Sequence, residues 1–461
     1  MPLKFTSRPR TTLFLPVLLC FTVLTACGGG SGDAAPATAS SAPSGAAAAV
    51  RTASLVQICP GQSADPTGEA SASAAIQACV DQIGANGTLE LPPGSYLMSS
   101  QLRFRFPFTL RTKGLAGSTA TCTQGADCAT LKASPLLAEK FGILFVGGEG
   151  VAVERFVMDH VTLDGNRAAR LFGVARDRCV AGDNRYGFNA SIESCTSCSV
   201  TYSASVNAVC GTGLAWSGSK ATIERNVFAN NGDNDTPYLW SDGLSVVLAD
   251  DSSIQENRFI DNSDVGLISF GSARTKILNN VVTQDKIKAF AGFMLDSLQT
   301  GDFSDSTISG NTVSCAPGKC FFGVNIGPSP WYPKNKPVFG GRFEGNTISG
   351  GTIGLNISGT KASPQLMYVG GNMLVGSYPA GRTTCRHVGS VMPKLVRRRL
   401  RISFSIRKVH DSMRSHRRSD WWCSCVSRLS RSRLSSPSAP ASFPCPSASF
   451  MLFPGPLRHV I

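Results

Sequence analysis

From about residue 220 onward the chain repeats one short pattern: an apolar residue, two variable positions, an asparagine, one variable position and a second apolar residue. Ile223-x-x-Asn226-x-Phe228, Ile254-x-x-Asn257-x-Phe259, Ile277-x-x-Asn280-x-Val282, Ile308-x-x-Asn311-x-Val313, Phe343-x-x-Asn346-x-Ile348 and Val369-x-x-Asn372-x-Leu374 all carry it. The asparagines follow one another at 31, 23, 31, 35 and 26 residues. A period of this length, built from short strands and Gly, Asn and Asp turns, belongs to a solenoid whose coils stack strand on strand. Strands in such a stack lie about 4.8 Å apart. Apolar side chains fill its interior, and asparagine tolerates a left-handed corner while its amide bonds to the next coil. Differences in spacing are then loops pushed out between strands. The predicted fold class is all-β, a solenoid of stacked β coils.

Ahead of the repeat one helix is well signalled. Ala75, Ile76, Cys79, Val80 and Ile83 fall at helical spacing, and Gly84 and Gly87 stop it. Gly87-Thr-Leu-Glu-Leu-Pro-Pro-Gly-Ser-Tyr-Leu then reads as strand, turn, strand. No further helical pattern stands out for nearly 300 residues. The helix, Leu91-Pro92-Pro93-Gly94-Ser95-Tyr96, Val161-Thr162-Leu163-Asp164-Gly165-Asn166 and the asparagine coils together resemble the right-handed parallel β-helix proteins of the pectate lyase and polygalacturonase superfamily. The resemblance covers about residues 57 to 381 and implies that the helix caps the open end of the coil stack, hiding its strand edges.

Charge divides the chain. Residues 382–461 hold 16 of the 44 basic residues and only two acids, Asp411 and Asp420, so that this segment carries the whole net +14. The body nets zero, and nucleic acid is not its implied partner. The 382–461 tail loses asparagine entirely and shows no sustained period. It reads either as a basic arm for anionic surfaces or, preferably, as unfolded polypeptide following a change of reading frame near Arg382, since a solenoid should end in a cap. Four of the five histidines lie in it, leaving only His160 to the body, where it reads as a core or turn residue; multi-histidine metal sites are excluded there.

Lys4, Arg8 and Arg10 precede an apolar run, Thr12 to Val23, and Leu24-Thr25-Ala26-Cys27. This is an export signal, too short for a permanent span. Its last four residues resemble the bacterial lipoprotein lipobox, which implies cleavage before Cys27, acylation of that residue, and a place in the cell envelope on the membrane surface. Residues 28–56 form a flexible Gly/Ala/Ser/Pro tether. Setting aside Cys20, Cys27 and the tail cysteines leaves ten, an even number in an oxidising compartment. The short spacings Cys122/Cys128, Cys195/Cys198 and Cys315/Cys320 suit local disulfides, and Cys59/Cys79 and Cys179/Cys210 are the remaining pairs. Cys195 and Cys198 could instead form a redox or zinc motif, but no second pair or histidine accompanies them.

The stretch richest in candidate chemistry runs from Asn230 to Lys276. Ser241-Asp242-Gly243-Leu244 and Ser263-Asp264-Val265-Gly266 align as the same place in successive coils if Asp233 to Ser241 bulges out of the first. Asp242 and Asp264 would then lie one strand spacing apart, where repulsion raises one pKa and yields one proton donor and one acceptor. Such a pair suits hydrolysis of a glycosidic bond. Trp240 could stack on a sugar ring, and Arg274 and Lys276 could meet substrate charge. Relative to the polygalacturonase pattern the Gly-His-Gly coil is missing, and Arg274-Thr275-Lys276 follows Asp264 too closely. A pectate-type lyase would instead place calcium on Asp233, Asp235 and Asp242, with Arg274 or Lys276 as base. Plain turn aspartates are the structural alternative. The expected function is a lipid-anchored protein that binds and cleaves polysaccharide, as hydrolase or lyase. The alternative is a non-catalytic carbohydrate-binding or adhesin module.

Overall fold

The structure, a computed structural model, describes residues 55–122, 128–327, 337–358, 360 and 365–375. The expectations for the export signal, Cys27, the tether and the basic tail fall outside these residues. Within them the chain winds into coils of three strands, and successive coils pair in parallel to form three sheets of ten, ten and nine strands. The first apolar position of each repeat lies in the first sheet, where Ile223, Ile254, Ile277, Ile308, Phe343 and Val369 stand opposite one another in order. The second apolar position lies in the second sheet, as the column Phe228, Phe259, Val282, Val313, Ile348 and Leu374. All but Leu374, half exposed in the last coil, pack into or against one continuous core.

The six repeat asparagines form a ladder at the corner between these sheets. Asn257 accepts at Oδ1 from the backbone N–H and the Nδ2 of Asn226, at 3.0 Å each. Its own Nδ2 donates to the Ile223 carbonyl at 2.8 Å and to Asn280 Oδ1 at 3.0 Å. The exchange starts at the Ser203 N–H and continues through Asn280, Asn311 and Asn346 to Asn372. Left-handed backbone does not belong to the asparagine, as the sequence suggests, but to the residue before it: Arg225, Glu256, Asn279, Gly310, Gly345 and Gly371. The asparagine keeps an ordinary backbone and spends its amide on neighbouring coils, so that buried polar groups are satisfied in pairs. The two remaining corners carry shorter versions, Asn231 to Asn262 and the hydroxyl series Ser252, Thr275, Ser306.

A second column runs through the third sheet and consists of glycine: Gly213, Gly243, Gly266, Gly292, Gly323 and Gly354. A Cβ on Gly243 would stand 2.5 Å from the carbonyl oxygen of Gly266, and one on Gly266 would stand 2.6 Å from that of Gly292. No side chain fits at that approach. At the amino-terminal end, helix α1 (Ser73–Ile83) buries Ile76, Cys79 and Val80 over the first coil and ends at Gly84 in a left-handed conformation. Its cap role matches the expectation. The five expected cysteine pairs are all disulfides. His160 is buried in a corner, stacked on Tyr202 at 5.0 Å. Two short helices absent from the sequence reading, α2 (Arg167–Arg170) and α3 (Val174–Val180), stand in an insertion between the second and third sheets.

Candidate functional site

The third sheet includes the successive strands Gly211–Ser217, Ser241–Val247, Val265–Ser269, Ala289–Leu295 and Cys320–Ile326. In the second of these, Leu244 and Val246 point into the core. Simple alternation would therefore turn Asp242 inward as well. Instead the Ser245 hydroxyl donates to Asp242 Oδ2 at 2.7 Å, which places both side chains on the outer face. The alternation slips by one residue at Gly243, so the glycine column is what delivers the aspartate to the outside.

Asp264 lies immediately before the next strand. Its backbone N–H donates to the Ser241 carbonyl at 3.0 Å, while Leu244 stands opposite Leu267. Asp242 is thus level with Val265, and Asp264 is one residue out of step with it. The alignment of Ser241-Asp242 on Ser263-Asp264 is corrected by one position. The two carboxylates are neighbours all the same. Asp242 Oδ1 accepts from the Val265 N–H at 3.1 Å, and the Asp264 charge acts directly on Asp242. Residues 233 to 240 do form a protruding loop, closed by the Asp233 N–H on the Leu239 carbonyl at 2.7 Å.

Both aspartates are half-buried. Burial pushes the Asp264 carboxyl up to about 6. Burial first, and then the neighbouring Asp264 charge, hold Asp242 well above the ordinary carboxylate range, against the two donors on its oxygens. Repulsion is mutual, so the pair titrates as a unit and keeps one proton between two carboxylates when the first has ionised. Asp242 is fixed in orientation by Ser245 and Val265. No hydrogen-bond donor among the described residues reaches the Asp264 carboxylate.

Aromatic rings flank the pair. Trp240 precedes the strand of Asp242, its ring 5.9 Å from that of Tyr238. Phe290, whose N–H donates to the Asp264 carbonyl at 2.8 Å, stacks against Phe321 at 6.3 Å. Phe290 and Phe321 escaped the sequence reading. Their signal was available, since each stands two residues before a glycine of the column.

Other expected site residues lie elsewhere. Arg274 sits in the turn after the strand of Asp264, beyond its far end. There its Nε donates to Asp251 Oδ1 at 2.6 Å and its Nη2 to Asp251 Oδ2 at 2.9 Å. Lys276 opens a strand of the first sheet, between Ser253 and Thr307. Neither cation is among the groups that set the pKa of Asp242 or Asp264. The substrate-charge role is corrected on this point, because ten residues of strand and turn carry Arg274 away from the pair. Asp233 accepts at Oδ1 from the Asp235 N–H at 3.0 Å and at Oδ2 from the Thr236 hydroxyl at 2.9 Å. Its carboxylate closes its own loop, and Asp242 is engaged by Ser245 and Val265. Among the described residues no group of three or more His, Cys, Asp or Glu is arranged to hold a metal ion. Asp233, Asp235 and Asp242 therefore do not fit the calcium set that a lyase requires.

Comparison with known proteins agrees on the fold. The family model described as "Right handed beta helix region" matches residues 143–326. No curated protein matches the sequence. Among solved structures, a family 28 exopolygalacturonase from Yersinia enterocolitica is 10% identical with a TM-score of 0.48, the match covering 68% of this chain and 64% of that one. A hyperthermoactive exopolygalacturonase from Thermotoga maritima is 12% identical with a TM-score of 0.44, covering 67% of this chain and 77% of that one. PfbA, a surface adhesin of Streptococcus pneumoniae, is 14% identical with a TM-score of 0.43, covering 68% of this chain and 75% of that one. Likenesses this distant carry no argument about chemistry, which rests on the residues.

Proposed function

We propose that this chain is a polysaccharide-cleaving β-helix protein of the hydrolase type, with Asp242 and Asp264 as its acid–base pair, and that lipid on Cys27 holds it at the bacterial cell envelope. The observation that carries the reading is two neighbouring aspartates, one on a strand of the third sheet and one just before the next strand, with Asp264 raised above the ordinary carboxylate range by burial and Asp242 by burial and then by the Asp264 charge. Asp242 keeps its proton longer and is aimed by two donors, which suits the general acid at the leaving oxygen. Asp264 ionises first and has no competing donor, which suits the base or nucleophile. Flanking rings at Trp240 and Phe290 supply apolar surface for the faces of sugar rings on either side of the scissile bond. A ligand extending along the solenoid axis meets successive coils, so a polymer fits the face better than a compact molecule.

Two features favour hydrolysis over β-elimination. A pectate-type lyase needs calcium and a cationic base beside the uronate, but Asp233 closes its own loop, Arg274 is paired with Asp251, and Lys276 stands on a different sheet from the aspartate pair. The test is incubation with a panel of neutral and acidic polysaccharides, reading reducing ends for hydrolysis and ultraviolet absorbance for unsaturated lyase products. Reducing ends without unsaturated products are expected, and they should be lost in Asp264→Asn. Unsaturated products overturn the hydrolase reading. Binding without any cleavage supports the adhesin-type alternative instead.

A further inference from the structure

Asp264 lies just ahead of its strand, Val265–Ser269, so the strand pairing of the third sheet does not itself fix where the residue stands. Its place is set by bonds to the neighbouring coils. The Asp264 N–H donates to the Ser241 carbonyl at 3.0 Å, and the Asp264 carbonyl accepts from the N–H groups of Phe290 at 2.8 Å and Ala291 at 3.2 Å. One carbonyl beside it is left over. The C=O of Ser263, which forms the peptide bond with Asp264, accepts from no backbone N–H among the described residues. The Lys288 carbonyl, one coil further on and two residues before Phe290, is left over in the same way.

Both carbonyls are taken by one side chain in the protruding loop. Asn234 Nδ2 donates to the Ser263 carbonyl at 3.0 Å and to the Lys288 carbonyl at 2.7 Å, spending its two hydrogens on two successive coils. The approach is built into the backbone. Gly232 leads into the loop at φ +72°, and a Cβ there would stand 2.1 Å from Ser263 Oγ, so only glycine lets the chain leave its coil this close to Ser263. At the far end of the loop Leu239 is buried in a small cluster with Cys179, Val209 and Cys210. The loop is therefore pinned twice, to its own coil region by Leu239 and to the next two coils by Asn234. We propose that Asn234 is a positioning residue: its amide clamps the Ser263–Asp264 peptide and so holds the Asp264 carboxylate in place against Asp242. A carboxylate without a donor of its own takes its position from its backbone, and the rate of a reaction between fixed groups falls steeply with misplacement. The role rests on the hydrolase reading of the Asp242–Asp264 pair.

Cleavage kinetics and carboxyl NMR on the full chain test it in three variants. Asn234→Ala removes the side chain, Asn234→Leu keeps its size without donors, and Thr236→Val removes only the loop's internal bond to Asp233. Both Asn234 variants are expected to lower kcat by about tenfold while KM moves by less than about twofold, and Thr236→Val to keep kcat within about twofold. In the titration the Asp264 carboxyl, pushed up to about 6 by burial, should fall toward 3.8 in both Asn234 variants as the freed segment meets water, and stay in place in Thr236→Val. That titration needs no turnover. If the unaltered chain cleaves nothing, the hydrolase reading fails and the titration alone still decides whether Asn234 holds Asp264. An undiminished kcat or an unmoved Asp264 titration in Asn234→Leu, or an equal loss in Thr236→Val, would overturn the positioning role.

Discussion

In the loop ahead of the capping helix, Asp65 has almost no exposed surface, yet its pKa falls to about 2. On the outer face of the third sheet Asp264 is pushed up to about 6 and Asp242 well above the ordinary range. Donors make the difference. Asp65 accepts from the Thr67 hydroxyl and N–H and from the N–H groups of Glu69 and Ala70, at 2.7 to 2.9 Å, all within its own thin loop. Asp264 has no such partner, and the partners of Asp242 are outweighed by burial and by a like charge. Burying an aspartate costs little when the fold supplies donors. Where it withholds them the carboxylate is primed to hold a proton, and such sites are candidates for chemistry.

Four outcomes test this contrast, the largest first. Asp264→Asn should lower cleavage by about 10³-fold, within the range for loss of an acid–base group. It should also stabilise the fold near neutral pH by about 1 kcal/mol, because a charge that burial disfavours is gone; cleavage assays and thermal melts read both. Asn257→Ala should cost about 3 kcal/mol, since it strips the Asn226 donors and the Ile223 carbonyl of their partners in a closed interior; chemical denaturation checks it. The pH dependence of stability should carry opposite signs in the two regions. Asp65 contributes stability above 3.8 that is lost as pH falls toward about 2. Folded Asp264 retains a proton that the unfolded chain releases above 3.8, so its contribution is present below 3.8 and lost as pH rises toward about 6. Melts across this range should lose the acid-side decline in Asp65→Asn and the later decline in Asp264→Asn. Smallest of all, Arg274→Ala should change stability by less than about 1 kcal/mol and leave cleavage unaffected, because it breaks only an exposed turn pair with Asp250 and Asp251.

Much of the fold is legible in the residues, because each repeat asparagine sits between two core positions at constant offsets and the physics of a stacked amide is the same in every coil. The glycine column is equally periodic and was the better guide to the site. Setting Gly243 against Gly266 brings Asp242 level with Val265, whereas matching the two Ser-Asp pairs slips the register by one residue. Chemical likeness misled where backbone packing would not have. Helices α2 and α3, four and seven residues long, are too short to declare a helical period. Arg274 and Lys276 looked close to Asp264 in sequence, but a strand and a corner intervene, and in a solenoid the neighbours of a residue lie one coil away rather than a few positions along.

The most direct measurement is carboxyl NMR titration of the folded chain with aspartate labelled at the side-chain carbon, assigned through Asp65→Asn, Asp242→Asn and Asp264→Asn. Asp65 should titrate near 2, Asp264 near 6 and Asp242 higher still, with Asp242 falling in Asp264→Asn. Asp242 and Asp264 both titrating near 3.8, each indifferent to loss of the other, would contradict the account.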